Sequence, residues 1–174
     1  MEPQTELWSI LQDDEYNYVW DRIDSEFRFH PSVRDGQPAF QFKVPADVYD
    51  ISELPLEDDS YRKMMDQVFV KSFIECMGSD GYMYALDWQH SGFRYNPRIT
   101  APKRSAFIHD NRYANGGYNA FFPSFYPDGD YYFFISKDFL WGYLTHPWQK
   151  KAWVFGRHLQ GCIRKRSSDL QFVP

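Results

Sequence analysis

Two histidines, His90 and His146, each stand where an apolar run of the chain gives out, and carboxylates stand close to both in sequence. Asp87-Trp88-Gln89-His90 follows one such run, Tyr126-Pro127-Asp128-Gly129-Asp130 opens another, and His146-Pro147-Trp148 follows a third. Imidazole and carboxylate together can ligate a divalent metal, or can divide the roles of general acid and base. Trp88 and Trp148, each close to a histidine, could wall a site for a planar ligand. The candidate binding rim is therefore Asp87, Trp88, Gln89, His90, Asp128, Asp130, Tyr132, His146 and Trp148. Spacing alone matches no catalytic motif: the chain has no H-x-H, HExxH or HxxxD pattern on these histidines. Turn aspartates such as Asp128 and Asp130 also commonly bond their own backbone. Cys76 and Cys162, both in helical patterns, lack a metal-ligand or CxxC neighbour, so no metal and no cofactor is expected. Asn115-Gly116-Gly117 is not followed by a helix or by a Lys-Ser/Thr pair, so it is not a phosphate loop.

If these groups meet, they meet on a sheet. In the central stretch Pro127-Asp128-Gly129 supplies a turn, proline presetting φ and glycine accepting positive φ, and an aromatic, β-branched run follows. The same reading predicts strands over 82–88, 130–135 and 152–155, with further extended pieces at 40–44, 48–51, 92–95 and 141–144. Apolar residues at helical spacing predict helices over 14–27, with Tyr16, Val19, Trp20, Ile23 and Phe27, and over 59–77, with Asp58-Asp59-Ser60 as its N-cap and Gly78 beyond its end. A short helix from Arg157 to Lys165 closes the chain. Leu7, Ile10 and Leu11 read as a short turn, and residues 1–6 as loose. Strands in succession between helical ends predict one α+β domain, a mainly antiparallel sheet packed by two amphipathic helices and a short C-terminal helix. Both long helices are expected on one face of that sheet.

Composition narrows the functions. Aromatic residues make up 20% of the chain, yet the mean hydropathy is −0.62, a balance reached when aromatic bodies fill a core while Tyr and Trp tips meet water or partners. The net charge of −5 argues against a nucleic-acid surface, which needs clustered Lys and Arg; Arg164-Lys165-Arg166 is a short run at a helix end. No apolar run reaches transmembrane length, and Met1-Glu2-Pro3-Gln4 is not a secretory start, so a cytoplasmic protein with no membrane partner is expected.

Between Arg98 and Tyr118 no periodicity holds, and a long structureless loop in a small domain is commonly functional. Arg98, Lys103, Arg104 and Arg112 make it basic against an acidic whole, and Tyr113 and Tyr118 are aromatic anchors of the kind that dominate interfaces. This is the candidate partner loop.

Several clusters together resemble a bacterial family of unknown function, DUF2716. They are Glu15-Tyr16 with Val19-Trp20-Asp21, Phe27 to Ser32, Tyr84 to His90, Pro127 to Tyr132, Gly142, His146-Pro147-Trp148 and Phe155-Gly156. The resemblance covers most of the chain and departs from the family around His109 to Asn119, where its connection is longer. It implies a small bacterial cytosolic protein and supplies no activity. Two classes of function follow. One is a protein-binding module, most concretely an immunity protein or antitoxin-like inhibitor whose partner would be a toxin, by analogy with small bacterial domains that accompany toxin loci. The other is an enzyme or small-ligand binder that uses the Asp/His/Trp rim for an unidentified small molecule.

Overall fold

A computed structural model of the chain describes residues 7–31, 38–88, 90–99, 108–110, 118–120 and 122–174. The longest helix, α2 (Asp59–Met77), starts where its sequence says it should: the Asp58 carboxylate accepts the Ser60 backbone N–H at 2.8 Å, and the C-cap Gly78 takes φ +55°. Arg98 closes the other end by donating to the carbonyls of Gly78 (2.5 Å) and Asp80 (2.6 Å), a cation where the helix dipole is negative. Helix α1 (Asp13–Phe27) carries Asp13, Asp14 and Glu15 in its first turn. Glu15 anchors it to the sheet, its carboxylate receiving Nε of Arg94 on both oxygens (3.0 and 2.8 Å) and the Tyr84 hydroxyl on one (3.3 Å).

The strands are β1 (Trp8–Ile10), β2 (Ala46–Asp50), β3 (Met83–Asp87), β4 (Gly92–Tyr95), β5 (Ile108–Asp110), β6 (Tyr118–Ala120), β7 (Tyr132–Ser136), β8 (Gly142–His146) and β9 (Lys151–Phe155). Seven of them form a wholly antiparallel sheet in the order β1-β4-β3-β7-β8-β9-β2, which with α1, α2, α3 (Arg157–Arg164) and α4 (Ser167–Leu170) makes a single α+β domain. The register sets Asp87 opposite Tyr132 and His146 opposite Lys151, so the C-terminal ends of β3 and β8 and the N-terminal ends of β7 and β9 share one end of the sheet.

The two long helices cover opposite faces, not one. Every position of β3, β7 and β8 is buried, so both faces of the central strands carry apolar surface and each needs a cover. On one face Phe69, Phe73 and Met77 of α2, with Leu159 and Ile163 of α3, meet Met83, Ala85, Phe134, Tyr143 and Val154. The rings of Phe69 and Tyr143 lie 4.3 Å apart there. On the other, Val19, Ile23 and Phe27 of α1 meet Leu86, Tyr131, Phe133, Leu144 and Phe155.

Three expectations need correcting. Residues 40–44 form no strand. Phe40 and Phe42 lie over the α1-side core against Trp153 and Phe155, and the Gln41 N–H bonds back to the carbonyl of Phe27, so the alternation comes from packing on a sheet face. Residues 7–11 are not a turn: Trp8–Ile10 forms the edge strand against β4, too short for periodicity to reveal. The span 98–118 is not structureless throughout, since β5 lies within it and pairs with β6 as a separate two-stranded sheet. Residues 1–6 lie outside the described residues. Among the described residues no helix is long and apolar enough to cross a membrane.

Candidate functional site at the sheet end

Asp87 is the last residue of β3, and a tight turn follows it. His90 N–H returns to the Asp87 carbonyl (3.1 Å), Trp88 N–H reaches the Tyr131 carbonyl on the neighbouring strand (3.0 Å), and the Tyr16 hydroxyl of α1 donates to the His90 carbonyl (3.1 Å). The turn folds the imidazole back over the strand end. Nδ1 of His90 then stands 3.0 Å from Oδ1 of Asp87 and 3.3 Å from Oδ2 of Asp130. A nitrogen that faces two carboxylate oxygens carries a proton, which places an N–H of His90 on Nδ1.

The three groups are not equally placed for proton chemistry. Asp87 is 9% exposed, and burial lifts its carboxyl to about 6 against the pull of the His90 hydrogen bond. Burial also raises Asp130, opposed by the backbone N–H of Tyr131, which Asp130 accepts at 2.7 Å. Carboxyls displaced by burial, with an imidazole between them, form a proton-sharing arrangement of the kind that active sites use.

His146 belongs to a different environment. Strand alternation turns Asp87 to the α2 side of the sheet, with Met83 and Ala85, and His146 to the α1 side, with Leu144. Its ring is fully buried; Nε2 lies 3.0 Å from the Tyr131 hydroxyl and Nδ1 accepts the Gln149 backbone N–H at 3.2 Å. Tyr131 is the hub of this half: the rings of Trp88 and Trp148 each meet it edge-on at 5.5 Å, and Phe29 packs behind at 5.1 Å. Trp148 remains 47% exposed.

The rim expected from sequence thus gathers at one end of the sheet in two groups, Asp87-His90-Asp130 and Trp88-His146-Trp148. Asp128 is exposed in the turn and lends its carbonyl to the buried Tyr132 hydroxyl (3.3 Å). Gln89 lies outside the described residues, as do Lys103, Arg104, Arg112 and Tyr113 of the partner loop; Tyr118 begins β6. Arg98 instead holds the end of α2, as described above. Tyr131 is not among the rim residues expected from sequence, since it reads as one more strand aromatic, although it directly follows Asp130.

A second group of ligating side chains lies away from this end. Cys76 of α2 and His158 and Cys162 of α3 place one ligand atom each within 4.8 Å of one another. Cys162 Sγ also donates to Glu75 Oε2 at 3.1 Å. The His158–Cys162 spacing, one helical turn, was visible in the sequence; the approach of Cys76 was not.

The chain is 27% identical over 165 residues to "Uncharacterized protein YxiI" of Bacillus subtilis (strain 168), covering 90% of this chain and 91% of that protein. No solved structure matches it significantly. The family described as "Protein of unknown function (DUF2716)" matches residues 10–160, from the last residue of β1 through the sheet-end clusters into α3, and the chain belongs to that family.

Proposed function

We propose that the protein is a protein-binding module of the immunity or antitoxin-like inhibitor kind, with its recognition surface at the sheet end where β3 and β8 finish and β7 begins. The observation that carries this reading is Trp148, an indole left nearly half exposed on a rigid platform of buried Tyr131 and His146. A tryptophan held this way brings large contact area with little ordering cost, as interface anchors do. The partly exposed Asp130 directly precedes Tyr131, the ring that Trp148 packs on, and the exposed Asp128 stands two residues earlier, which favours a partner presenting Lys or Arg. His146, buried and held by Tyr131 and Gln149, is a support for this surface and not an acid or base of a catalytic rim.

The test pairs the purified chain with the proteins encoded beside its own gene and measures binding by calorimetry. A complex should form, and Trp148→Ala should weaken it by at least about 30-fold, the loss expected of an interface anchor. If the neighbour is a toxin, the wild-type chain should restore growth and Trp148→Ala should not. Absence of binding to every neighbour, or unchanged affinity in Trp148→Ala, would overturn the reading.

A second reading rests on a separate observation, the Asp87-His90-Asp130 arrangement with the Asp87 carboxyl lifted to about 6. It favours an enzyme or small-ligand binder in which His90 exchanges a proton with a bound molecule. Under it, His90→Ala abolishes ligand binding or turnover, and Trp148→Ala leaves the acid–base step intact.

A further inference from the structure

We propose that Cys76, His158 and Cys162 form a zinc site that ties α2 to α3. His158 and Cys162 are separated by one turn of α3, so both project from the same stripe of that helix. Cys76 meets them from the last turn of α2, and the two Sγ atoms and an imidazole nitrogen all lie within 4.8 Å of one another. Three such donors can close around one ion with bond lengths near 2.0–2.3 Å after small side-chain rotations.

The donor set selects the metal. Two thiolates and an imidazole are soft to borderline ligands, which suit Zn²⁺ and exclude Mg²⁺ and Ca²⁺, whose ligands are oxygens. Zinc is tetrahedral in such sites, so one position remains. Glu75 lies beside the group, its Oε2 accepting the Cys162 S–H at 3.1 Å without joining the three mutually close ligand atoms, so the fourth ligand is Glu75 after a side-chain shift or a water. A cysteine thiol is protonated at neutral pH and ligates a metal only as the thiolate. Binding therefore releases two thiol protons to solvent, while the imidazole coordinates in its neutral form through one nitrogen lone pair. Two thiolates balance the ion, and the surplus negative charge of Glu75 is met by Lys71 and Lys165, both of which already act on it.

The site is reachable. A cleft of about 520 Å³ runs between α2 and the α3–α4 segment, with Glu75, Cys162, Lys71 and Lys165 in its wall, and His158 is exposed. It is also placed to matter for stability, since it joins two helices far apart in sequence on the α2 side of the sheet.

The full-length protein, stripped of metal and kept reduced with a phosphine, is titrated with Co²⁺ and then Zn²⁺. One equivalent of Co²⁺ should produce a thiolate-to-metal charge-transfer band with strong tetrahedral ligand-field absorption, and Zn²⁺ should displace it. Calorimetry in buffers of different ionisation heat should show about two protons released per zinc. His158→Ala, a change at an exposed position, should weaken binding by at least about 100-fold, a loss above that of an outer-shell partner. Cys76→Ser should remove most of the charge-transfer intensity, and Asp87→Asn should bind as wild type does. Zinc should raise the unfolding midpoint of the wild type and not of His158→Ala. The proposal is overturned if the reduced wild type gives no charge-transfer band, if His158→Ala and Cys76→Ser bind unchanged, or if the two cysteines only form a disulfide and take no metal when reduced.

Discussion

Nε2 of His146 stands 3.0 Å from the hydroxyl of Tyr131 while its Nδ1 accepts the backbone N–H of Gln149 at 3.2 Å. An imidazole whose Nδ1 lone pair is engaged carries its proton on Nε2, so His146 is neutral and donates to Tyr131. Protonating Nδ1 would set two donors against each other in a buried place. Burial accordingly depresses the ring to about 4, with Lys151 adding to the effect.

The pH dependence follows with a definite sign. Unfolded histidine takes its proton near 6.5 and His146 only near 4, so between these values the unfolded state binds more protons. Stability from this group is complete above about 6.5 and is lost as pH falls toward 4. Imidazole ¹⁵N shifts should report a neutral Nε2–H tautomer at His146 down to about pH 5; titration near 6.5 would contradict the buried arrangement.

Asp87 behaves in the opposite sense. Its carboxyl is raised from 3.8 to about 6, so the folded state binds more protons in that window and stability falls as pH rises through it. Asp87→Asn removes the cost of burying the charge. It should stabilise the protein by roughly 1–3 kcal/mol at pH 7, with the gain vanishing below about pH 4. Urea unfolding of both proteins at pH 4, 5.5 and 7 measures the difference, and a destabilised variant at pH 7 would show that the His90 pair outweighs desolvation.

Gly156 and Gly161 make a contrasting pair five residues apart. Gly156 has φ +87°, and a Cβ there would fall 2.2 Å from the Cβ of Trp141 and 2.7 Å from its Cα. Gly156→Ala should destabilise by roughly 2–5 kcal/mol, combining backbone strain with a clash against main chain. Gly161, within α3, has no atom within 4 Å of such a Cβ, so Gly161→Ala should stabilise by about 0.4–1 kcal/mol. Paired denaturant midpoints decide both.

Glu15 is the group that docks α1. Its loss removes the acceptor of Arg94 and of Tyr84, so Glu15→Ala should cost roughly 1–2 kcal/mol; the figure is modest because the Arg94 side chain is 43% exposed and its charge is screened by water. Amide exchange in α1 should quicken more than in α2 if the loss is local; equal acceleration in both would mean that α1 is held by its apolar face alone.

The elements themselves were legible in the residues. Apolar spacing, the Asp58 cap and Gly78 mark α2 at its observed ends, Pro127-Asp128-Gly129 marks the entry to β7, and the aromatic, β-branched runs mark β3, β7 and β9. These signals are local, arising from capping, turn chemistry and the two side-chain periods, so they survive without knowledge of the fold. Weak local signals misled in both directions. Phe40 and Phe42 alternate like a strand because they pack on a sheet face, and the three residues of β1 are too few to show any period.

What the tertiary structure alone decided is which side each group faces and what meets it. Sequence placed Asp87, His90, Asp130 and His146 at strand ends. Only the register β3-β7-β8 brought those ends together, and only strand alternation turned Asp87 from His146 across the sheet. The burial that silences His146, and the Tyr131 hydroxyl that fixes its tautomer, are likewise long-range facts. The same holds for the cysteines: the sequence carries His158 and Cys162 at helical spacing, and the packing of α2 against α3 supplies Cys76 and Glu75. Local periodicity says which residues share a face; the register of distant strands and the seating of distant helices depend on packing of the whole core, which no short stretch encodes.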